Sequence, residues 1–435
     1  MLNYKYNFYR KDGEKMKAVI LAGGLGSRMG EACSSLPKPM LNLAGKPVLE
    51  HQIERLKREG ITEFILVTGY LGEKIEEYFK DGSSLGVSIL YYREREPLGT
   101  AGALFELGLT EDFLLCNGDL IFNFCLDKMV DFHRSKNALA TLFTHPNSHP
   151  YDSTLICTDN ENRVIDFLKS DERECGAENL CNAGIQIISP HLLEMYEKGG
   201  SKNLDRDIIF PALSTGRIYS YKSFEYVKDM GTPERLESAE SDLEHGIVES
   251  CHLLKKQKAI FLDRDGTVNV HKGYITSPED IELIPKVTDA IKGFKARGYL
   301  VIIVTNQPVI ARGDCDESTL KRIHNRFEAL LGKEGAYVDA IYYCPHHPDG
   351  GFENEISELK RACNCRKPAP GLLFRANAEF NIDMSQSFMV GDSMRDVEAG
   401  INAGCTSILL SEKEEDIPDG VRRCKSLYDF YENIK

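Results

Sequence analysis

Tryptophan is absent from the 435 residues. So is any apolar run near the about 20 residues that a membrane-spanning helix needs. Residues 1–17 lack the apolar core of a signal peptide, and none is expected in them. They are polar and tyrosine-rich, and read either as a disordered arm or as residues upstream of a start at Met16. A basic excess is missing too. The formal net charge of −14 argues against a nucleic-acid binder, but a few local Arg and Lys would suffice for phosphorylated substrates. No glycine- or serine-rich tether, internal repeat or low-complexity stretch interrupts the chain. Disulfides are not expected. Most of the 13 cysteines stand singly among apolar neighbours, as Cys116, Cys125 and Cys157 do, the pattern of buried free thiols in a reducing cytoplasm. The expected partners are therefore small molecules, with neither nucleic acid nor membrane among them, and a homo-oligomer is left open.

What is present begins with size. A chain of 435 residues, 42% hydrophobic and 28% charged, should divide into two or more domains, each with its own core. From Lys17 it reads Lys-Ala-Val-Ile-Leu-Ala-Gly-Gly-Leu-Gly-Ser-Arg28, a buried strand followed by a glycine-rich turn. Successive N–H groups in such a turn make a concavity for phosphate oxygens. The spacing of Gly24, Gly26 and Gly30 misses the dinucleotide fingerprint, and a Walker lysine-threonine pair is lacking. Pro37 and Pro39 stiffen the backbone around Lys38, as a cation over a polyphosphate requires, and Arg28 supplies a second, forked donor. Helices are predicted over 48–59 and 73–79 and strands over 64–68, 87–91 and 113–118. Pro97-Leu-Gly-Thr-Ala-Gly-Ala103 gives a small-residue surface for a base or ribose, and Asp119 follows the last strand, where a metal ligand belongs. This alternation predicts a mostly parallel, doubly wound α/β sheet.

These motifs resemble the sugar-1-phosphate nucleotidyltransferase family. The likeness is carried by Ala22-Gly23-Gly24-Leu25-Gly26-Ser27-Arg28, the Pro-Lys-Pro, Gly99-Thr100-Ala101, Asn117-Gly118-Asp119, Asn182-Ala183-Gly184 and Lys228-Asp229-Met230-Gly231-Thr232-Pro233-Glu234-Arg235. It covers about Lys17 to Leu243. The resemblance implies that Asp119 and Asp229 hold Mg²⁺ on the nucleotide and that Arg28 and Lys38 bind its phosphates. It also implies that Gly23, Gly24, Gly26, Gly99, Thr100 and Asp119 cradle the nucleotide, while Lys169 and Asn182 face the sugar phosphate. Leu168 stands where the family usually has a Glu before that lysine.

The join, residues 232–256, reads as one helix started by Pro233. The second half then opens on Lys258-Ala-Ile-Phe-Leu-Asp-Arg-Asp-Gly-Thr-Val268, a buried strand running into two carboxylates, Asp263 and Asp265. Residues two apart in extended chain point the same way. Two carboxylates so placed repel each other unless a cation lies between them, and Mg²⁺ is the ion that takes hard oxygens plus a phosphate. Tyr299–Gln307 is a fully apolar strand ending in Thr305, Asn306 and Gln307, placed to hold phosphate oxygens. Arg366 and Lys367 lie in a loop, and Phe388-Met-Val-Gly-Asp392 is another strand ending in an acid. Cys344-Pro-His346 and Cys363-Asn-Cys365 supply the four N/S ligands that a closed, structural Zn²⁺ site takes, with His347 as the alternative to His346. Such an ion would staple the intervening loop.

The order of strand-end Asp pair, strand-end Thr, loop Lys and strand-end Asp resembles the haloacid dehalogenase superfamily. The resemblance implies that Asp263 is the nucleophile, Asp265 the acid and base, Thr305 and Lys367 the phosphoryl clamps, and Asp392 a Mg²⁺ ligand beside Asp263 and the main chain of Asp265. Asp396 would assist from behind. No large insertion separates Asp265 from Thr305, so a bulky cap is not expected. With the zinc loop, and with Ile310-Ala-Arg312-Gly313 and Cys365-Arg-Lys-Pro368, the second half is similar to the heptose-1,7-bisphosphate 7-phosphatases and their histidinol-phosphatase relatives. By that likeness Arg312 and Arg366 bind the phosphate that is kept.

The expected architecture is two Rossmann-like doubly wound domains in tandem: a nucleotidyltransferase fold, then a capless haloacid dehalogenase fold with a zinc loop. The expected boundaries are an extension at 1–16, the first domain at 17–243, a helical linker at 244–257, the second domain at 258–412 and a terminal segment at 413–435. The two resemblances imply consecutive steps toward a GDP-heptose. A hexose-1-phosphate transferase, a histidinol-phosphate-type phosphatase or a nucleotide-sugar sensor are the alternatives.

Overall fold

The computed structural model describes residues 16–24, 35–148, 150, 153–168, 177–413 and 416–434. Two compact units share the chain. The first runs through Thr144 and takes up Thr158–Asp166 and Asn182–His252. The second comprises His145–Cys157, Phe167–Cys181 and Leu253–Lys435, so two stretches that the sequence reading places in the first domain are grouped with the second.

Strands that are apolar without alternation fit a sheet covered on both faces, and Ala18–Leu21 and Phe113–Asn117 are of that kind. The middle of the first sheet runs in the order Cys181–Ile188, Phe113–Asn117, Ala18–Leu21, Glu63–Thr68, Ser88–Arg93. The last four are parallel, and Cys181–Ile188 joins them antiparallel. Helices Val48–Arg58 and Gly72–Phe79 bury Ile53, Leu56, Ile75 and Phe79 against Phe64 and Leu66 of the sheet. A separate antiparallel ribbon pairs Leu120–Asn123 with Tyr226–Asp229, setting Asp229 opposite Leu120. Met230 N donates to Asp119 O at 2.8 Å. That ribbon brings together two acids far apart in the chain.

The single helix expected over 232–256 is interrupted. Pro233–Glu244 is helical, with Thr232 Oγ1 accepting from Arg235 N at its start, and Ile247–Ser250 forms a short second turn. Between them Gly246 takes the left-handed conformation (φ 70°), which ends a helix at little steric cost when the residue is glycine. The apolar spacing continued past the break, so periodicity alone concealed it.

The second unit carries a six-stranded, all-parallel sheet ordered Ala340–Cys344, Tyr299–Asn306, Lys258–Leu262, Phe388–Gly391, Thr406–Leu410, Arg422–Cys424. Helices Val287–Ala296 and Glu317–Lys333 help seal its core around Ile260, Val301, Phe294 and Phe327. The strand order reverses at Lys258–Leu262, and ligands of open α/β sheets bind beyond the carboxyl ends at such a point. Asp263, Thr305 and Asp392 all fall at or just past those ends. Among the described residues no helix is long and apolar enough to cross a membrane.

Candidate active sites

At the carboxyl ends of the first sheet lies a cavity of about 1170 Å³ whose lining includes Gly23, Gly24, Gly99, Thr100, Lys38 and Asp119. Those six expected residues therefore face one space. Pro37 and the turn Lys38–Met40 deliver Lys38 into it. The side chain is buried, and its Nζ pairs with Asp119 Oδ2. Asp229 stands beside this pair. Arg235 Nη1 bonds both of its oxygens, at 2.7 and 2.6 Å, and Gly231 N donates at 3.0 Å. Burial would raise the Asp229 pKa, but Arg235 and the charge of Lys38 hold it below the usual carboxylate range. A Cβ on Gly231, which also lines the cavity, would strike Asp229 Oδ1 at 2.4 Å. Two acids, each facing a cation, are the arrangement that an ion carrying a triphosphate would take over.

Gly26, Arg28 and Lys169 lie outside the described residues. Asn182 sits on Cys181–Ile188 with its Nδ2 3.3 Å from Asp205 Oδ1. Two further residues in this unit were given no role by the sequence reading. One is Arg235, which clamps Asp229. The other is Glu94, just past the end of strand Ser88–Arg93. Glu94 lines the cavity, and its Oε1 is buried with no hydrogen-bond partner among the described residues. Burial pushes its carboxyl up, with a Leu98 backbone N–H opposing. A Cβ on Gly23 would come 2.9 Å from Glu94 Oε2, and one on Gly69 would come 2.9 Å from Gly23 O. Two residues without side chains thus form a flat wall beside a carboxylate with one oxygen, Oε1, unpaired among the described residues. The signal that marked Asp119, an acid after a parallel strand, was available for Glu94 as well.

In the second unit, Asp263, Asp392 and Asp396 bring carboxylate oxygens within 4.8 Å of one another. Lys367, buried, reaches Asp263 Oδ1 and Asp396 Oδ1, both at 2.6 Å. One cation cannot neutralise three acids. Burial raises the Asp263 pKa and the Asp396 charge adds to it, while Lys367 opposes; burial and Asp396 likewise raise Asp392. Acids crowded and desolvated in this way fit a divalent cation. A Cβ on Gly266 would lie 2.0 Å from Asp392 Oδ2, so only glycine allows the approach, at φ 86°.

The structure corrects two expectations here. Asp265 does not bring its carboxylate to that acid cluster. Arg264, fully buried, bonds both of its oxygens, Asn269 Nδ2 donates at 2.9 Å and Gln307 Nε2 at 2.9 Å. Burial would raise the Asp265 pKa, but Arg264 and the two amides hold it below the usual range. Any share of Asp265 in an ion falls to its main-chain oxygen. Asp396 lies against the cluster, its Oδ1 on Lys367 and its Oδ2 accepting from Ser393 N at 3.1 Å, a position behind the site. Asn306 does not offer its amide to a phosphate: Oδ1 accepts from Lys367 N at 3.0 Å and Nδ2 donates to Lys367 O at 3.1 Å.

Thr305 is buried with its Oγ1 accepting from Gln307 Nε2 at 2.9 Å. Arg366 Nη1 donates to His346 O at 3.1 Å. Arg312 pairs with Asp314 at 2.6 Å and lies over the rings of Tyr274 and Phe352, with centroids 4.3 and 4.1 Å away.

Cys344, His346, Cys363 and Cys365 converge. Cys365 Sγ is 3.3 Å from Cys344 Sγ, 3.3 Å from Cys363 Sγ and 3.3 Å from His346 Nδ1. Cys344 Sγ is 3.6 Å from Cys363 Sγ and from His346 Nδ1. A tetrahedron with Zn–S of about 2.3 Å has edges near 3.8 Å, so the donor set and its spacing suit that ion. The cysteines are free thiols, and His347 is turned away, its Nδ1 accepting from Asp349 N at 3.1 Å.

Comparison with known proteins adds the following. Residues 17–246 match the family model described as nucleotidyl transferase, and residues 364–420 match one described as HAD-hydrolase-like. A D-glycero-beta-D-manno-heptose-1,7-bisphosphate 7-phosphatase of Yersinia pestis is 44% identical over 152 residues, covering 35% of this chain and 79% of that protein. A mannose-1-phosphate guanylyltransferase of Mycobacterium tuberculosis is 34% identical over 270 residues, covering 61% of this chain and 72% of the other. Among solved structures, a D,D-heptose 1,7-bisphosphate phosphatase from B. bronchiseptica complexed with magnesium and phosphate is 34% identical. It covers 40% of this chain and 97% of that one, with a TM-score of 0.36.

Proposed function

Because the chain belongs to the nucleotidyl transferase family and carries behind that domain a heptose-bisphosphate phosphatase homologue of the haloacid dehalogenase type, we propose that it performs two consecutive reactions. The second unit removes the 7-phosphate of D-glycero-D-manno-heptose 1,7-bisphosphate. The first transfers a guanylyl group from GTP to the heptose 1-phosphate and releases pyrophosphate. One observation carries this reading: the phosphatase relative leaves a sugar 1-phosphate, and sugar 1-phosphates are what the transferase relative guanylylates. That second relative acts on mannose 1-phosphate, which makes mannose the competing sugar. Incubation of the protein with heptose 1,7-bisphosphate or mannose 1-phosphate and each of four nucleoside triphosphates, followed by mass analysis, decides between them. GDP-heptose is the expected product, and a preference for mannose 1-phosphate would overturn the sugar assignment.

In the phosphatase, Asp263 attacks phosphorus and forms an aspartyl-phosphate as the bond to the heptose C7 oxygen breaks, and that oxygen leaves as the alcohol with a proton taken from water. Lys367 and Thr305 steady the transferring charge, and Asp265, held ionised by Arg264, is set to activate the water that releases phosphate. In the transferase, a phosphate oxygen of the sugar attacks the α-phosphorus in line while Lys38 and Arg28 bind the triphosphate. Asp119 and Asp229 in one site, and Asp263 and Asp392 with the Asp265 main chain in the other, would hold Mg²⁺, which would supply charge neutralisation there. With its free thiols and its small-molecule substrates, the protein is assigned to the cytoplasm.

Glu94 supports guanine as the base. A carboxylate only accepts, and guanine alone presents adjacent N1–H and N2–H donors on one edge. The flat wall at Gly23 and Gly69 suits a ring. Glu94→Gln, which exchanges one acceptor oxygen for a donor, is expected to lower kcat/KM for GTP about tenfold or more and to narrow its lead over the other triphosphates. Unaltered base preference in that variant would remove Glu94 from the role.

Zn²⁺ is assigned to the Cys/His cluster as a structural ion. Elemental analysis of the purified protein is expected to find about one zinc per chain, lost in Cys365→Ser. Protein that folds and hydrolyses substrate with none bound would end this assignment.

A further inference from the structure

Beside the nucleotide cavity Asn182, which the resemblance turns toward the sugar phosphate, pairs with an acid, Asp205, that the reactions above leave unused. Asn182 has its amide orientation fixed. Gly184 N and Gln186 Nε2, both at 3.1 Å, donate to its Oδ1, so its Nδ2 must point the other way, toward Asp205 Oδ1 at 3.3 Å. Gly184 abuts the cavity: it takes φ 76°, and a Cβ there would lie 2.4 Å from the Nδ2 of Asn117, which lines that space. Asp205 abuts it from another side. Leu204 N donates to Thr100 Oγ1 at 2.8 Å, and Ala101 N donates to Lys202 O at 3.0 Å. Gly99 is needed for that approach, because a Cβ on it would come 2.4 Å from Lys202 O.

The segment that carries Asp205 is unusual. Leu204–Ile209 is a six-residue π-helix, a rare form found often where a side chain is aimed for a purpose, and Asn203 Oδ1 secures its start from Arg206 N at 2.8 Å. Asp205 is open to solvent. Even so, surrounding atoms desolvate it enough to push its carboxyl up, with the Asn182 amide opposing. The Asp205 carboxylate is thus both reachable and crowded.

We propose that Asp205, oriented through Asn182, receives hydroxyls of the acceptor sugar and so selects which sugar 1-phosphate the transferase takes. The inference rests on the transferase reading given above. Its chemistry is that of carbohydrate recognition: a carboxylate accepts from neighbouring O–H groups, and the second amide hydrogen of Asn182 is available to a hydroxyl oxygen. A sugar that lacks the matching hydroxyl leaves a crowded carboxylate unpaired, which is a strong ground for rejection.

The test is steady-state kinetics of the full-length Asp205→Asn variant with GTP and heptose 1-phosphate. Its phosphatase activity serves as a check that the chain is folded. KM for the sugar phosphate should rise about tenfold or more, the scale of one hydrogen bond to a charged group, while KM for GTP stays at the wild-type value. The wild type should also discriminate against at least one monodeoxy sugar 1-phosphate by about tenfold, and the variant should lose that discrimination. Parallel rises in both KM values would reduce Asp205 to a structural part and overturn the proposal, as would an unchanged sugar KM. The wild-type comparison stands even if the variant does not fold: were no single hydroxyl to matter, the proposal falls. Absence of pyrophosphate release by the wild type from every sugar 1-phosphate tested would instead sink the transferase reading itself.

Discussion

Replacing Asp263 by asparagine is expected to abolish phosphate release from heptose 1,7-bisphosphate, by a factor on the order of 10⁴–10⁶, while guanylyl transfer to heptose 1-phosphate proceeds at its usual rate. The amide keeps the shape of the side chain, and with it the contact at Lys367 Nζ, but it cannot form the aspartyl-phosphate. Asp263 is also one of three acids that share the second-unit cluster, so the change lowers the negative charge that would hold a cation. Both effects push in the same direction, and neither reaches Lys38, Asp119 or Asp229. Phosphate and pyrophosphate release, assayed on one preparation, separate the two reactions. Loss of both activities in this variant would contradict two independent sites.

The second large effect is expected at Lys38. Its alanine variant should raise the barrier of guanylyl transfer by about 2–4 kcal/mol, a fall in kcat of roughly 30- to 1000-fold, and leave the phosphatase unaffected. The argument turns on what Lys38 faces. Its ammonium is buried and paired with Asp119, so it is already held at the place where triphosphate charge must be met. Removing it also leaves Asp119 without that counter-charge in a recess. Lys38→Arg is therefore the companion variant: it restores the charge but not the shape, and activity between those of alanine and wild type marks charge as the cause. An alanine variant with wild-type kcat would displace Lys38 from its role.

The strand ends were the most legible part of the sequence. Ala18–Leu21, Phe113–Asn117, Lys258–Leu262, Tyr299–Asn306 and Phe388–Gly391 are largely apolar and run into glycines, acids or amides, and a parallel sheet imposes apolar runs on its buried strands. The Cys-x-His and Cys-x-Cys pairs were equally plain, because ligand spacing within a loop is local. What stayed hidden depended on neighbours supplied from elsewhere in the chain. Asn306 looked like a phosphate ligand until the Lys367 backbone appeared opposite both ends of its amide. Asp265 looked like a partner of Asp263 because residues two apart share a face, yet Arg264, Asn269 and Gln307 draw its carboxylate away. Asp205 gave no motif, since it acquires meaning only from residues brought alongside by the fold, whereas Glu94 carried the same strand-end signal as Asp119. The break at Gly246 was missed because apolar spacing carried on through it, whereas the dihedral of one residue decides where a helix stops.

The Asn306 amide that grips the Lys367 main chain has a consequence for how this enzyme tolerates change. Cys363 and Cys365 fix the same loop from the other side, so the ammonium at 367 owes its aim to anchors that meet no reactant. Drift at position 306 would misdirect a charge several bonds away, and a survey of natural variation should find that asparagine as invariant as the residues that touch phosphorus.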